Sequence, residues 1–365
     1  MTLTVGTTTA RHGEIVYGEF PLVQHPVGGA DALPVIIAQG AEDGPVFWIT
    51  AGIHGIEHAG IQVIHKLVTP ELVKNLRGTL VAIPGLNPAG LRTLQRQAYY
   101  YDGDPNRLFP DGREPKPDPD KDPPSALEQA YARLFDEIKK SANLFFDLHC
   151  MSVGSLSFVF RDRVLYRKGD EAAKQRAEAT SAKMEEMARA YGHTMTADFS
   201  VSKYIDEKLH RSTTAAVAML AGIPSLTAEV SSSFTPAPEV VNASVTGLRN
   251  VMRWAGMLPG DPEPITGIKV VDPGFPTRRR SVARVTQSCI VHHLKEPGDL
   301  VKVGDPLVEM RDAWGRLLGV LTSEYDGFVI SRPRGILYYP GEASVLLAIR
   351  DDEPVVGEYP ETFFD

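Results

Sequence analysis

The chain has 365 residues, of which 43% are hydrophobic and 23% charged, with a formal net charge of -8 and a pI near 5.7. That length allows one large domain and a smaller one, and the acidic balance argues against a general nucleic-acid binder. No apolar run reaches the roughly 18 residues of a membrane span, the opening stretch MTLTVGTTTARHGE has no apolar signal core, and Cys150 and Cys289 give neither a disulfide framework nor a CxxC metal pair, so a reduced, cytoplasmic setting is expected.

Residues 1 to 40 read as β-rich, with partial alternation from Glu14 to Phe20 and an apolar run from Leu33 to Ala38. Val46 to Ile49 is an unbroken apolar run closed by Ala51 and Gly52, the pattern of a fully buried parallel strand. A turn carrying His54, Gly55, Ile56 and Glu57 follows, and then Ala59, Val63 and Leu67 recur at helical spacing. Leu80 to Pro84 is a second buried strand, ended by the turn signal Gly85-Leu86-Asn87-Pro88. The segment from Leu91 to Gly112 is irregular, and residues 111–124, rich in Pro, Asp and Lys, form a solvated loop.

Ser125 is placed to cap a helix running to about Lys140, with Glu128 completing a capping box. Asn143 to His149 is a third core strand and Ser155 to Arg161 a fourth. Helices are expected at 170–191, at Thr213 to Ala221 and at Pro238 to Leu258, with another core strand from Ser225 to Val230. Past residue 262 the strands shorten and turns multiply, so the chain divides into a catalytic unit at 1–262, a C-terminal all-β unit at 263–352 and a tail at 353–365. The fold class is α/β: a mixed, mostly parallel sheet flanked by helices, with a C-terminal barrel-sandwich-like β domain. Arg278-Arg279-Arg280, the only basic cluster, reads as a solvated turn.

Buried strands that end in polar residues carry the chemistry. Ligands in an open α/β sheet sit at the carboxyl ends of strands. His54 and Glu57, three apart with a glycine between them, suit one zinc ion, and His149 at the end of its strand completes a set of three with an open position. Taken alone, His149 reads as a hydrogen-bonded core histidine; beside HGIE the ligand reading is preferred. Asp147 shares a strand face with His149 and is placed to orient a ligand or a nearby arginine. Glu229, ending another apolar strand, is either paired with a lysine or a general base.

Arg96 and Arg107 are candidates for stabilising an oxyanion and gripping a carboxylate, unless they pair at the surface with Asp102 or Asp104. Arg92 is a weaker substitute. His58 competes as a ligand but should point elsewhere on the helix, and His210 is a candidate lining residue of a substrate pocket. His292 and His293 read as surface residues, and Cys150 as a buried structural thiol.

With HGIE, DGDPNRLFP, DLH and SLTAEV in this order, the chain resembles the succinylglutamate desuccinylase/aspartoacylase family of the zinc carboxypeptidase-like superfamily. The resemblance implies one zinc held by His54, Glu57 and His149, substrate carboxylate binding by Asn106 and Arg107, catalysis by Glu229, and carbonyl polarisation by Arg96. It departs from the family at Ile56, where HGNE is usual, and at Pro105, where DLNR is usual. PGDLVKVGDPLVEM also resembles a biotinyl or lipoyl domain, but no lysine stands at an evident carrier tip, so this unit reads as structural. The expected reaction is hydrolysis of a small N-acyl amino acid, by a chain with no nucleic-acid or membrane partner that forms a possible homo-oligomer. The rivals are a metallocarboxypeptidase acting on short peptides and a non-catalytic small-molecule-binding protein.

Overall fold

The computed structural model describes residues 2–113, 122–151, 154–230, 234–332 and 335–364; most of the loop expected at 111–124 lies outside them. A twelve-stranded sheet forms the frame. At its centre Glu42–Ala51 runs parallel to Arg77–Ile83 on one side and to Leu144–His149 on the other, and Ser225–Glu229 continues in parallel beside Leu144–His149. Ala30–Gln39 and Ile15–Gln24 add antiparallel strands at one edge. In the other direction Phe158–Arg161 lies antiparallel to Ser225–Glu229, and Thr194–Ala197 runs parallel to Phe158–Arg161.

The central strands read as continuous apolar runs because both of their faces are covered. Every residue of Leu144–His149 is buried. One face packs beneath the helices Ala59–Leu67, Glu171–Tyr191 and Pro238–Trp254 through Phe146, Leu148, Val63, Met187 and Val251. The other packs beneath Ala126–Ser141 and Thr213–Ala221 through Trp48, Phe145, Tyr131, Leu134 and Val217. Ser125 caps its helix by accepting from the Glu128 N–H at 3.2 Å, but Glu128 bonds to Arg211 and leaves the capping box half made.

The sheet runs unbroken across the boundary expected near residue 262. Thr277–Arg284 aligns with Thr194–Ala197 and carries Ala343–Arg350, Gly327–Ser331 and Leu300–Val301 beyond it. A separate four-stranded sheet closes over this extension around Val291, Leu307, Val308, Val329 and Leu347. Arg278 to Arg280 are therefore strand residues, correcting the turn expected there: Arg278 pairs with Asp351 at 3.3 Å, Arg279 with Asp198, and Arg280 lies over the Tyr325 ring. The segment read as a tail is structured among the described residues. Val356–Glu358 pairs with Val164–Tyr166, and Glu361–Phe364 forms a turn of 3-10 helix. No helix of the described residues is long and apolar enough to cross a membrane.

Candidate metal centre

Three parallel strands, Glu42–Ala51, Leu144–His149 and Ser225–Glu229, end side by side, and the polar residues at their ends meet there. Glycine makes the first approach possible. A Cβ on Gly60 would lie 2.6 Å from Leu148 Cβ and 2.8 Å from Ala51 Cβ, so only glycine lets the helix Ala59–Leu67 settle onto these strands. A Cβ on Gly55 would lie 2.0 Å from the Gly90 carbonyl carbon, so the HGIE turn rests directly on the backbone of the helix Pro88–Thr93.

The result is a convergent donor set. His54 Nδ1 is 2.7 Å from Glu57 Oε1, and His149 Nδ1 is 3.0 Å from Glu57 Oε2. One ligand atom from each of His54, Glu57 and His149 falls within 4.8 Å of the others, and all three residues are buried. The far nitrogens are held as well. His54 Nε2 lies 3.0 Å from Asp104 Oδ1 and His149 Nε2 lies 3.0 Å from Asp147 Oδ2. A carboxylate on Nε2 of each ring fixes the tautomer that leaves Nδ1 as a lone-pair donor, the usual outer support of a metal-binding histidine. Asp147 is itself anchored by the Thr50 hydroxyl at 2.7 Å. Burial raises the Glu57 carboxyl, but the two imidazoles more than offset this and hold it well below the usual carboxylate range. Two buried imidazole nitrogens and one buried anionic oxygen fit a divalent ion such as zinc.

Glu229 stands opposite His149 in the strand register. It is paired with no lysine among the described residues; its Oε2 is buried without a hydrogen-bond partner. Burial raises its carboxyl to about 7, with His149 opposing the shift and Glu57 adding to it. Arg96 reaches the same place from the loop after Pro88–Thr93, donating to Asp104 Oδ2 at 2.8 Å and to Glu57 Oε1 at 3.4 Å. Arg107 donates Nε to Glu207 O and Nη1 to Asn106 O, both at 2.7 Å, leaving Nη2 without a partner among the described residues.

Asn106 and His210 depart from the roles expected of them. The Asn106 amide is turned inward: its oxygen accepts from Thr213 N and Oγ1 at 2.9 and 2.8 Å, and its nitrogen lies 3.3 Å from His149 Nε2. It packs beside a ligand instead of facing outward, and of the pair only Arg107 keeps a side-chain nitrogen without a partner among the described residues. His210 packs edge-on against Phe363, with its nearest carboxylate, Asp111, 4.0 Å away and neither ring nitrogen hydrogen-bonded. Burial drives its pKa down to about 4, so it is a neutral ring in the apolar packing around Tyr359 and Phe363 rather than a member of the cluster.

Several further side chains are engaged away from the donor set. His58 turns back to Gly55 O at 3.1 Å, Arg92 pairs with Asp31, and His293 bonds to Ser344 O at 3.0 Å. Cys150 gives its backbone N–H to Glu57 Oε2 at 3.0 Å, while burial pushes its thiol up, away from nucleophilic use. Asp104, expected at most to pair with an arginine at the surface, supports His54, holds Arg96 and caps the Asn106 N–H at 2.9 Å. An aspartate directly before proline is a helix-start signal, and that signal is present in the sequence at Asp104-Pro105.

Fold and donor set together define an α/β protein with a metal-type site at the carboxyl ends of a mixed sheet. A sequence profile of the succinylglutamate desuccinylase/aspartoacylase catalytic domain matches residues 43–254. The chain belongs to the succinylglutamate desuccinylase/aspartoacylase family, a family of deacylases. Its fold is shared by the ectoine utilization protein EutE (DoeB) from Ruegeria pomeroyi in a product-bound structure, at 19% identity and a TM-score of 0.70 over 92% of this chain and 95% of that one. A succinylglutamate desuccinylase/aspartoacylase from Rhodobacter sphaeroides is similar at 20% identity and a TM-score of 0.68, over 92% and 96% of the two chains. An aspartoacylase family protein from Mesorhizobium loti follows at 16% identity and 0.67, over 93% and 96%. No curated protein matches the chain in sequence.

Proposed function

We propose that this chain is a zinc-dependent hydrolase of the amide bond of small N-acyl amino acids. The observation that carries the reading is the meeting of the His54 and His149 Nδ1 atoms on Glu57, with Glu229, whose buried Oε2 has no hydrogen-bond partner, in register beside them. Zinc held by these three residues would supply Lewis-acid polarisation of the scissile carbonyl and acidify water at neutral pH.

The remaining work belongs to side chains. Glu229 takes a proton from the attacking water and returns it to the leaving nitrogen, a transfer suited to a carboxyl drawn towards neutrality by burial. Arg96, beside Glu57, donates to the oxygen that gains negative charge as the carbonyl becomes tetrahedral. Asp104 and Asp147 keep both imidazoles in the ligating tautomer. Arg107 offers Nη2 to the amino-acid carboxylate, with its other nitrogens anchored on Glu207 and Asn106. Both cysteines are free and buried, in keeping with a cytoplasmic enzyme.

The test is a panel of N-acyl amino acids and short peptides offered to the zinc-loaded protein, with amine release as readout. Turnover of acylated amino acids over peptides is expected. A protein that binds zinc stoichiometrically but releases no amine from the acylated amino acids would overturn the assignment.

A further inference from the structure

The last described residues are tied twice to the stretch that holds Arg107. The first tie is Arg163, whose side chain is fully buried. Its Nε donates to Phe199 O and its Nη1 to Pro354 O at 2.9 Å, while its Nη2 meets Asp351 at 3.2 Å and Glu353 at 2.9 Å. Glu353 also accepts the Val201 N–H at 3.3 Å, across 152 residues of chain. A buried guanidinium needs its N–H groups matched, and here the matching groups come from both stretches at once. The second tie is aromatic. Tyr359 stacks on Phe363 with ring centroids 4.4 Å apart, and Phe363 meets the His210 ring edge-on at 5.0 Å. Tyr359 and Phe363 are buried in a small core of their own with Leu165, Tyr204, Leu209 and Ala215.

Between Phe199 and Arg211 the chain forms only the helix Val201–Asp206 and the 3-10 turn Leu209–Arg211. Elements this short have no stability of their own, so their position is set by what packs on them. The same stretch grips the chain at Arg107 and again two residues further on. Glu207 O accepts from Arg107 Nε at 2.7 Å. Arg211 O accepts the Phe109 N–H at 3.1 Å, and Arg211 Nε donates back to Phe109 O at 3.1 Å.

We infer that the segment Glu353 to Phe364 is a strap, with Phe363 as its positioning residue: by pinning the stretch from Phe199 to Arg211 it holds the Arg107 guanidinium in place for the substrate carboxylate. The inference rests on the hydrolase reading. It gives a share in substrate binding to residues that lie outside both the donor set and the matched catalytic domain at 43–254.

Amide hydrogen exchange and kinetics on the zinc-loaded protein test it. Phe363→Ala should speed exchange across residues 199–211 and at the Phe109 N–H, with Ser225–Glu229 unchanged and zinc still bound stoichiometrically. Kinetics compare the best N-acyl amino acid of the panel with its α-carboxamide, which lacks the carboxylate. Phe363→Ala should raise KM for the acid by about 10- to 100-fold, the size of a charged hydrogen bond, with kcat held and kcat/KM for the carboxamide unchanged. In an Arg107→Ala background the same substitution should raise KM no further. Phe363→Leu, which refills most of the space, should recover most of the loss. Glu353→Ala, which releases the Val201 N–H at the other tie, should repeat the pattern of Phe363→Ala.

Wild-type exchange rates at 199–211 in both variants, or a loss that falls on the acid and the carboxamide alike, would overturn the proposal. Because exchange needs no turnover, a wild type that releases no amine while both variants loosen 199–211 and Phe109 refutes the hydrolase reading and leaves the strap in place.

Discussion

Glu229 and His149 stand directly opposite one another at the ends of adjacent parallel strands, one with its carboxyl oxygen unpaired and the other with both ring nitrogens engaged. In the proposed mechanism that asymmetry separates a residue held for coordination from one kept for proton transfer. Glu229→Gln preserves shape and removes the base. The amide should lower kcat by about 10²- to 10⁴-fold, the usual weight of general base catalysis. Zinc content should be unchanged and thermal stability equal or higher, because a buried carboxyl has been removed. Steady-state kinetics with metal analysis on the same sample checks both halves.

Asp104 bonds to His54 Nε2 at 3.0 Å and to Arg96 at 2.8 Å, so it acts on the site without offering a ligand atom. Asp104→Asn should weaken zinc affinity by about 10- to 100-fold, as loss of an outer-sphere partner commonly does. Competition with a chromogenic chelator reads this directly. His54→Ala, which removes a ligand, should abolish stoichiometric binding.

Gly55 lies so close to the Gly90 carbonyl that a methyl group has nowhere to go; the 2.0 Å contact is with backbone, which no rotamer change relieves. Gly55→Ala should cost at least about 1–3 kcal/mol in urea unfolding and lift the turn that carries both His54 and Glu57. The loss of zinc affinity should exceed that of an alanine substitution at Gly13, where a Cβ would meet nothing within 4 Å.

His210 is buried with two unpaired nitrogens against Phe363. Replacing an unsatisfied buried polar ring by an apolar chain removes a desolvation penalty. His210→Leu should therefore keep KM and kcat while holding or raising stability by up to about 1 kcal/mol. A raised KM would restore the pocket role expected from its sequence position.

The metal-type ligands were legible because each stands where an apolar run stops, a local pattern. The position of Glu229 beside them was legible for the same reason, a carboxylate ending a buried strand. Asp104 and Asn106 were misread because their partners, His54 and Thr213, lie 50 and 107 residues away in the chain. Whether such a side chain faces solvent or a ligand is decided by tertiary approach. Arg279 was hidden by its neighbours. Three consecutive arginines erase the alternation that marks a strand, and the register with Thr194–Ala197 is what turns the middle one onto the face of Phe158 and Phe160. The C-terminal strands were recognised as β, but not that they prolong the catalytic sheet, since edge pairing leaves no periodic trace.

Asp162 lies below the same face, accepting from the Thr214 and Thr227 hydroxyls at 3.2 and 3.3 Å. Burial, reinforced by Asp198, raises its carboxyl to about 7. In the unfolded chain it titrates near ~3.9. The folded state therefore holds its proton more tightly than the unfolded state. The stability this contributes is complete below about pH 4 and is lost progressively as pH rises through 7, by at most about 4 kcal/mol. Asp162→Asn replaces the protonated acid with a neutral isostere that still accepts from both hydroxyls, so this decline should vanish. Urea unfolding from pH 5 to 8 should show the wild type falling relative to the variant, with the gap levelling off above pH 7. Parallel profiles would mean that Asp162 is ionised throughout, with its charge compensated by the Arg279 guanidinium that also serves Asp198.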